Sequence, residues 1–231
     1  MKAGKLFDLT GKCGYVTGAA SGINKAIAED LCRAGASVCI ADWNEEQAIA
    51  VSEELNANGY TTFAHKVDVS KKEQVAAMVT KTADTFKRLD FGINGAGVIG
   101  TRLPSSELIE EQDARRLFDI MWFGMFFGCQ ESVKIMKDQK HGRLVNIASM
   151  SGVIVNRGIQ GIGPYAGIKA GIIHMTKAFA SEFALDGITA NTISPGYTRT
   201  PANTKVFDIP ERRETYMNQI PMGRFGTPED Q

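Results

Sequence analysis

Gly11 to Ile23 reads GKCGYVTGAASGI. An apolar, strand-like run from Cys13 to Val16 feeds straight into Thr17-Gly18, then Ser21-Gly22-Ile23, and a helical pattern follows through Ala26, Ile27 and Leu31. A strand, a glycine-rich turn and a helix start in that order form an anion site. Glycine lets the backbone approach a phosphate closely, and the first turn of a helix offers N–H donors that no carbonyl has claimed. A second apolar strand is predicted from Ala36 to Ala41, and Asp42 stands at its end, 20 residues beyond Gly22. A dinucleotide fold places there the carboxylate that accepts from ribose hydroxyls. The same carboxylate repels the extra phosphate of NADP, so NAD is the expected cofactor.

Outward from this unit, strand-like and helix-like segments keep alternating. Strands are predicted near residues 13–17, 36–41, 61–67, 89–93, 143–148 and 188–193, and helices near 22–34, 45–57, 71–87, 107–138 and 164–186. Such alternation implies an α/β fold, a single doubly wound parallel sheet of Rossmann type with helices on both faces. No linker, repeat or low-complexity tract interrupts it, so residues 1–231 are expected to form one dinucleotide-binding and catalytic domain. Ligands in such sheets bind beyond the carboxyl ends of the strands.

Composition narrows the function. Of 231 residues 43% are hydrophobic, enough for a sizeable core, and 26 acidic residues balance 26 basic ones. That balance gives no electrostatic pull toward nucleic acid or an anionic membrane. Cys13, Cys32, Cys39 and Cys129 lack metal-ligand spacing and read as small core residues in a reducing compartment. His65, His141 and His174 are isolated, so no metal is expected. With no secretory leader and no apolar run long enough to span a bilayer, the expected location is the cytoplasm.

The chemistry is expected in Gly142–Lys169, GRLVNIASMSGVIVNRGIQGIGPYAGIK. A buried strand around Leu144–Ile147 releases Ser149 and Ser151 into a loop, and Tyr165 and Lys169 follow at i,i+4 spacing on one helical face. A free tyrosine has a pKa near ~10. A fixed positive charge beside it lowers that value and suits the phenol to acid–base work on an alcohol or ketone.

Together these pieces resemble the short-chain dehydrogenase/reductase family over nearly the whole chain, Leu9 to Gln231. The motifs are Thr17-Gly18-x-x-x-Gly22-Ile23, Asp42, Asp68-Val69, Asn94-Gly95-Ala96-Gly97, Ser149, Tyr165-x-x-x-Lys169 and Pro195-Gly196. The resemblance implies an oxidoreductase in which Ser149 holds the substrate oxygen, Tyr165 moves the proton, and Lys169 lowers the tyrosine pKa and holds the ribose. For the cofactor it implies Gly18, Ser21, Gly22, Ile23, Asp42, Asp68, Val69, Asn94, Ala96, Gly97, Pro195, Gly196, Thr198 and Thr200, besides Tyr165 and Lys169. Asp68 would reach the adenine, and the backbone after Pro195-Gly196 the nicotinamide carboxamide.

Ser151, Asn156 and Tyr197 are the expected substrate pocket. The loop Ser149–Arg157 looks most like polyol dehydrogenases of the galactitol, sorbitol and mannitol type. Residues 197–225 read as a substrate lid, in which Phe207, Tyr216, Met217 and Met222 help set specificity. Homodimers or homotetramers are expected through helices 107–138 and 164–186. Two departures stand out. Met121 occupies the family's active-site asparagine position, where a thioether accepts hydrogen bonds only weakly. Asn24 replaces the third glycine of the cofactor turn. The chain stops at Thr227–Gln231, which looks like a helix start, and the family's last strand is missing, which suggests a truncated sequence. Two other readings stay open: reduction of a 3-oxoacyl thioester or steroid-like ketone, and an NAD-binding protein without turnover.

Overall fold

The first strand, β1 (Cys13–Thr17), is buried along its whole length, as is the core of β2 (Ser37–Asp42) beside it. Side chains alternate across a strand, so burial at every position requires cover on both faces. The computed structural model, which describes residues 7–98, 104–155 and 160–231, provides that cover. Tyr15, Cys39 and Ala41 point to one apolar cluster, and Val16, Val38 and Ile40 to a second. Helix α1 (Gly22–Arg33) gives the second face Ala28 and Cys32, and α2 (Glu45–Ala57) gives it Ala48, Val51 and Leu55. On the first face sit Val75, Met78 and Val79 of α3 (Lys72–Phe86).

The remaining strands are β3 (Thr62–Lys66), β4 (Phe91–Asn94), β5 (Gly142–Ile147) and β6 (Ile188–Ile193). All pairings are parallel, and the order is β3-β2-β1-β4-β5-β6. Connections run outward in opposite directions from the β1/β4 pair, which opens a crevice at the carboxyl ends of those two strands. The expected strands and their doubly wound arrangement are all present, with ends shifted by one or two residues.

The helix expected over 107–138 differs in detail. A short 3₁₀ turn (Ser106–Leu108) precedes α4 (Glu111–Leu117), and α5 (Gly124–Gln139) continues it after a π-helical segment, Phe118–Phe123. The wide turn accommodates large rings in series. Phe118 stacks on Trp122 at 5.3 Å and Trp122 on Phe126 at 5.5 Å. Helix α6 (Gly163–Glu182) carries Tyr165 in its first turn, next to Pro164. Two short helices follow β6, α7 (Thr204–Phe207) and α8 (Pro210–Met217). Among the described residues no helix is long and apolar enough to cross a membrane, and no group of three or more potential metal ligands comes together.

Candidate active site

A cleft of about 1050 Å³ lies over the carboxyl ends of the strands. It is at the upper end of small-molecule sites, with room for a dinucleotide-sized ligand. The turn between β1 and α1 forms one wall. Gly18 (φ +71°) and Gly22 (φ +60°) both take left-handed backbone that a side chain would resist. A Cβ at Gly18 would lie 3.0 Å from the Cα of Ala96, so the turn and the loop after β4 approach too closely for anything but glycine. Thr17 Oγ1 joins them by accepting from the backbone N–H groups of Gly95 (3.0 Å) and Ala96 (3.2 Å). Ser21 precedes α1 in extended backbone and makes no side-chain cap. The first-turn amides therefore have no protein side chain as acceptor from that position, the condition under which a helix start takes an anion.

At the end of β2 the Asp42 carboxylate accepts from Ala20 N–H at 3.1 Å and Asn44 N–H at 2.9 Å. It lines the cleft beside Trp43, which is 76% exposed. Nothing in the sequence pattern singled out Trp43; its signal is a large aromatic placed directly after the Asp42 carboxylate. Lys66, in register with Asp42 on β3, also lines this end. Asp68 takes the turn role, accepting from the N–H (3.0 Å) and hydroxyl (2.7 Å) of Ser70 while still bordering the cleft. Val69 lies against Gly124, whose Cβ would come within 2.8 Å of it.

Asn94 is the clear departure from the expected cofactor set. It does not line the cleft. It is 1% exposed and donates to Asn146 Oδ1 at 2.9 Å while accepting from the Tyr15 hydroxyl at 3.0 Å. Its side chain faces the core because β4 alternates, and Asn94 points to the face on which Tyr15 and Cys129 lie. Ala96 and Gly97, beyond the strand end, do border the cleft.

Ser149, Tyr165 and Lys169 come together where β5 ends. Ser149 Oγ accepts from Ser151 N–H at 3.1 Å and is hydrogen-bonded to the Tyr165 phenol. Lys169 Nζ donates to the Ile147 carbonyl at 2.7 Å and lies 5.7 Å from the centre of the Tyr165 ring. Burial pushes Lys169 down to about 7. Burial also raises Tyr165, against which the Ser149 hydrogen bond works. In the free protein burial outweighs the Ser149 hydrogen bond at Tyr165. Desolvation disfavours both charged forms, and the dry site penalises phenolate and ammonium alike.

Beside this trio the cleft is lined by Val98, Met121, Met150 and Ile162, with Phe207 from α7. Met121 is fully buried, and its Sδ would lie 3.6 Å from a Cβ at Gly97. Ser151 and Tyr197 border the cleft, whereas Asn156 lies outside the described residues. Pro195 carbonyl accepts from Met150 N–H at 3.0 Å and so ties the loop after β6 to the serine loop. Gly196, Thr198 and Thr200 line the same wall, with Thr200 against Gly22. The Tyr197 ring lies 4.8 Å from Tyr216 in a small apolar cluster with Phe207 and Phe225.

A doubly wound sheet with a glycine-rich turn at its crevice, a carboxylate ending β2 and a buried Ser–Tyr–Lys group defines a nucleotide-dependent enzyme class. Comparison with known proteins places the chain within it. Residues 18–231 match the family model described as "Enoyl-(Acyl carrier protein) reductase". The chain is 34% identical to 3-oxoacyl-(acyl-carrier-protein) reductase FabG of Rickettsia prowazekii, over 97% of this chain and 88% of that protein. It is 36% identical to cyclohexanol dehydrogenase of Acinetobacter sp. strain SE19, over 95% of this chain and 84% of that one. A crystal structure of a gluconate 5-dehydrogenase from Burkholderia cenocepacia, in complex with NADP and tartrate, matches with a TM-score of 0.92 and 28% identity, covering 99% of this chain and 88% of that one. The chain belongs to the short-chain dehydrogenase/reductase family and is an oxidoreductase acting on CH–OH groups.

Proposed function

We propose that the protein interconverts a secondary alcohol and its ketone with NAD, using Ser149, Tyr165 and Lys169 at one end of the cleft. The carrying observation is the convergence of those three side chains at the carboxyl end of β5, in the same cleft as the Gly18–Gly22 cradle and Asp42. The turn suits a pyrophosphate because Gly18 and Gly22 hold left-handed backbone there and no Ser21 side chain caps the start of α1. Once bound, the nicotinamide supplies the hydride acceptor or donor and, when oxidised, a positive charge in the cleft.

The protein's own groups then divide the work. Ser149 hydrogen-bonds the reacting oxygen. Tyr165, held protonated by burial, gives its proton to a ketone oxygen as the hydride reaches the carbon, and takes a proton from the alcohol in the reverse direction. Lys169 sits within reach of the tyrosine ring and, when charged, stabilises the phenolate that ketone reduction leaves behind and that alcohol oxidation consumes. Residues 197–225 act as the lid, held together by the Tyr197–Phe207–Tyr216–Phe225 cluster, and the chain works as one catalytic domain.

Asp42 favours NAD over NADP by like-charge repulsion of a 2′-phosphate, and Trp43 gives the adenine a flat partner. Lys66 beside Asp42 supports NADP as a second reading, in keeping with the cofactor of the Burkholderia structure. Among substrates, the Val98, Met121, Met150 and Ile162 walls favour an apolar body, such as the ring in the Acinetobacter enzyme's named substrate. Ser151 is the feature that supports a polyol, and the Rickettsia relative keeps a 3-oxoacyl thioester in play. The stacked Phe118, Trp122 and Phe126 suit self-association into a dimer or tetramer.

The test is reduced-cofactor formation from NAD and from NADP with cyclohexanol, cyclic diols and sugar alcohols, and the reverse reaction with a 3-oxoacyl thioester. Turnover should fall about a hundredfold or more in Tyr165→Phe, the scale of a lost general acid–base. Failure of every alcohol and ketone in the presence of bound NADH would support the silent binder and reject catalysis.

A further inference from the structure

Gly95 has no left-handed backbone to explain its lack of a side chain. What explains it is Asn24. A Cβ at residue 95 would lie 2.2 Å from Asn24 Oδ1, 2.5 Å from its Cγ and 2.7 Å from its Nδ2, so the Asn24 carboxamide fills the space a side chain at 95 would take. The same carboxamide approaches the cofactor turn, with Nδ2 2.9 Å from a Cβ at Gly18, and donates to the Gly95 carbonyl at 2.9 Å. Asn24 borders the cleft, and its Oδ1 is buried without a hydrogen-bond partner. An orphaned acceptor destabilises the free protein, so packing alone is a poor account of the residue.

Resting on the cofactor reading above, we propose that Asn24 and Gly95 form a matched pair, in which the Asn24 carboxamide sets the spacing between the two cofactor-lining loops. Thr17 holds those loops together through the N–H groups of Gly95 and Ala96, and Asn24, in the first turn of α1, holds Gly95 by its carbonyl. Asn24 is thus a positioning residue for the cofactor. The pair is reciprocal: moving the amide to position 95 requires a glycine at 24.

NADH titration, thermal melting of the free protein, and steady-state kinetics would test this on Asn24→Ala, Gly95→Asn and the double variant Asn24→Gly/Gly95→Asn. Asn24→Ala should weaken NADH binding by about tenfold, the worth of one positioned hydrogen bond. Its KM for the cofactor should rise in step while kcat stays within about twofold, the pattern of lost uniform binding. Gly95→Asn alone should bind worse still, and the double variant should return to within about threefold of the parent, a coupling expected only of residues in contact. Parent-like binding in Asn24→Ala would overturn the proposal, as would a double variant no better than Gly95→Asn. A parent protein that binds neither NADH nor NADPH would overturn the cofactor reading itself, and this inference with it.

Discussion

Lys169 has traded water for the Ile147 carbonyl and the Tyr165 ring, and burial alone pushes it down to about 7. Below that value the folded protein must hold a buried ammonium that the unfolded chain keeps in water. Between about 7 and the ordinary lysine range the unfolded chain binds the extra proton, so stability rises with pH. Compared with Lys169→Met, the parent should gain about 1.4 kcal/mol per pH unit from pH 7 to 10, read from urea melts at several pH values. The raised Tyr165 acts in the opposite sense, and only above its ordinary value, where the unfolded chain loses its proton first. It also gives the reaction a direction: ketone reduction should hold up at neutral pH, and alcohol oxidation should accelerate as pH climbs through the alkaline range. At the ribose end, Asp42→Ala should narrow the preference for NAD over NADP by about tenfold, consistent with removal of one close like charge. The ratio of kcat/KM values for the two cofactors reads it. Ser149, Tyr165 and Lys169 were legible from the family motifs taken together, and a strand end and a helix start put them within reach of each other. The burial that moves their pKa values was not, since it depends on what packs around them.

At the level of elements, the strands were legible because runs such as Val38–Ala41 are apolar on both faces, which leaves few alternatives to a covered parallel sheet. The π-helical break at Phe118–Phe123 was not, because sequence periodicity blurs when one turn widens to stack rings. Asn94 shows the same limit. Its motif suggested both support of the central sheet and a place near the cofactor, and strand alternation turned its side chain toward a buried network with Tyr15, Asn146 and Cys129, which Thr176 joins through Asn146 at 2.8 Å. Tyr15 bonds Ser132 Oγ at 2.9 Å and the Gly128 carbonyl at 3.1 Å in the same place, so the network pins α5 to the sheet. A Cβ at Gly128 would fall 2.0 Å from Asn94 Oδ1. Gly128→Ala should therefore destabilise the fold by about 3 kcal/mol or more, the combined scale of overpacking and a broken buried network, seen as a lower urea midpoint.

The molecule as a whole arranges its loops by topology. Strand order turns about β1 and β4, and the Gly18–Gly22 turn, the Ala96–Gly97 loop and the serine loop all open on one side. That side was legible from the sequence, since each motif follows a strand. The wall opposite was harder to read. Phe207 reaches the cleft only because Tyr197, Tyr216 and Phe225 hold α7 and α8 as a unit, and no periodicity marks contacts of that kind. The central claim is that one cleft carries hydride transfer and tyrosine-mediated proton transfer together. Its most direct test uses the best alcohol from the panel, deuterated at the carbinol carbon, with parent and Tyr165→Phe protein. Deuterium should appear in the reduced cofactor of the parent reaction, and the variant should form it about a hundredfold more slowly. Turnover without label in the cofactor, or an undiminished rate in the variant, would contradict the account.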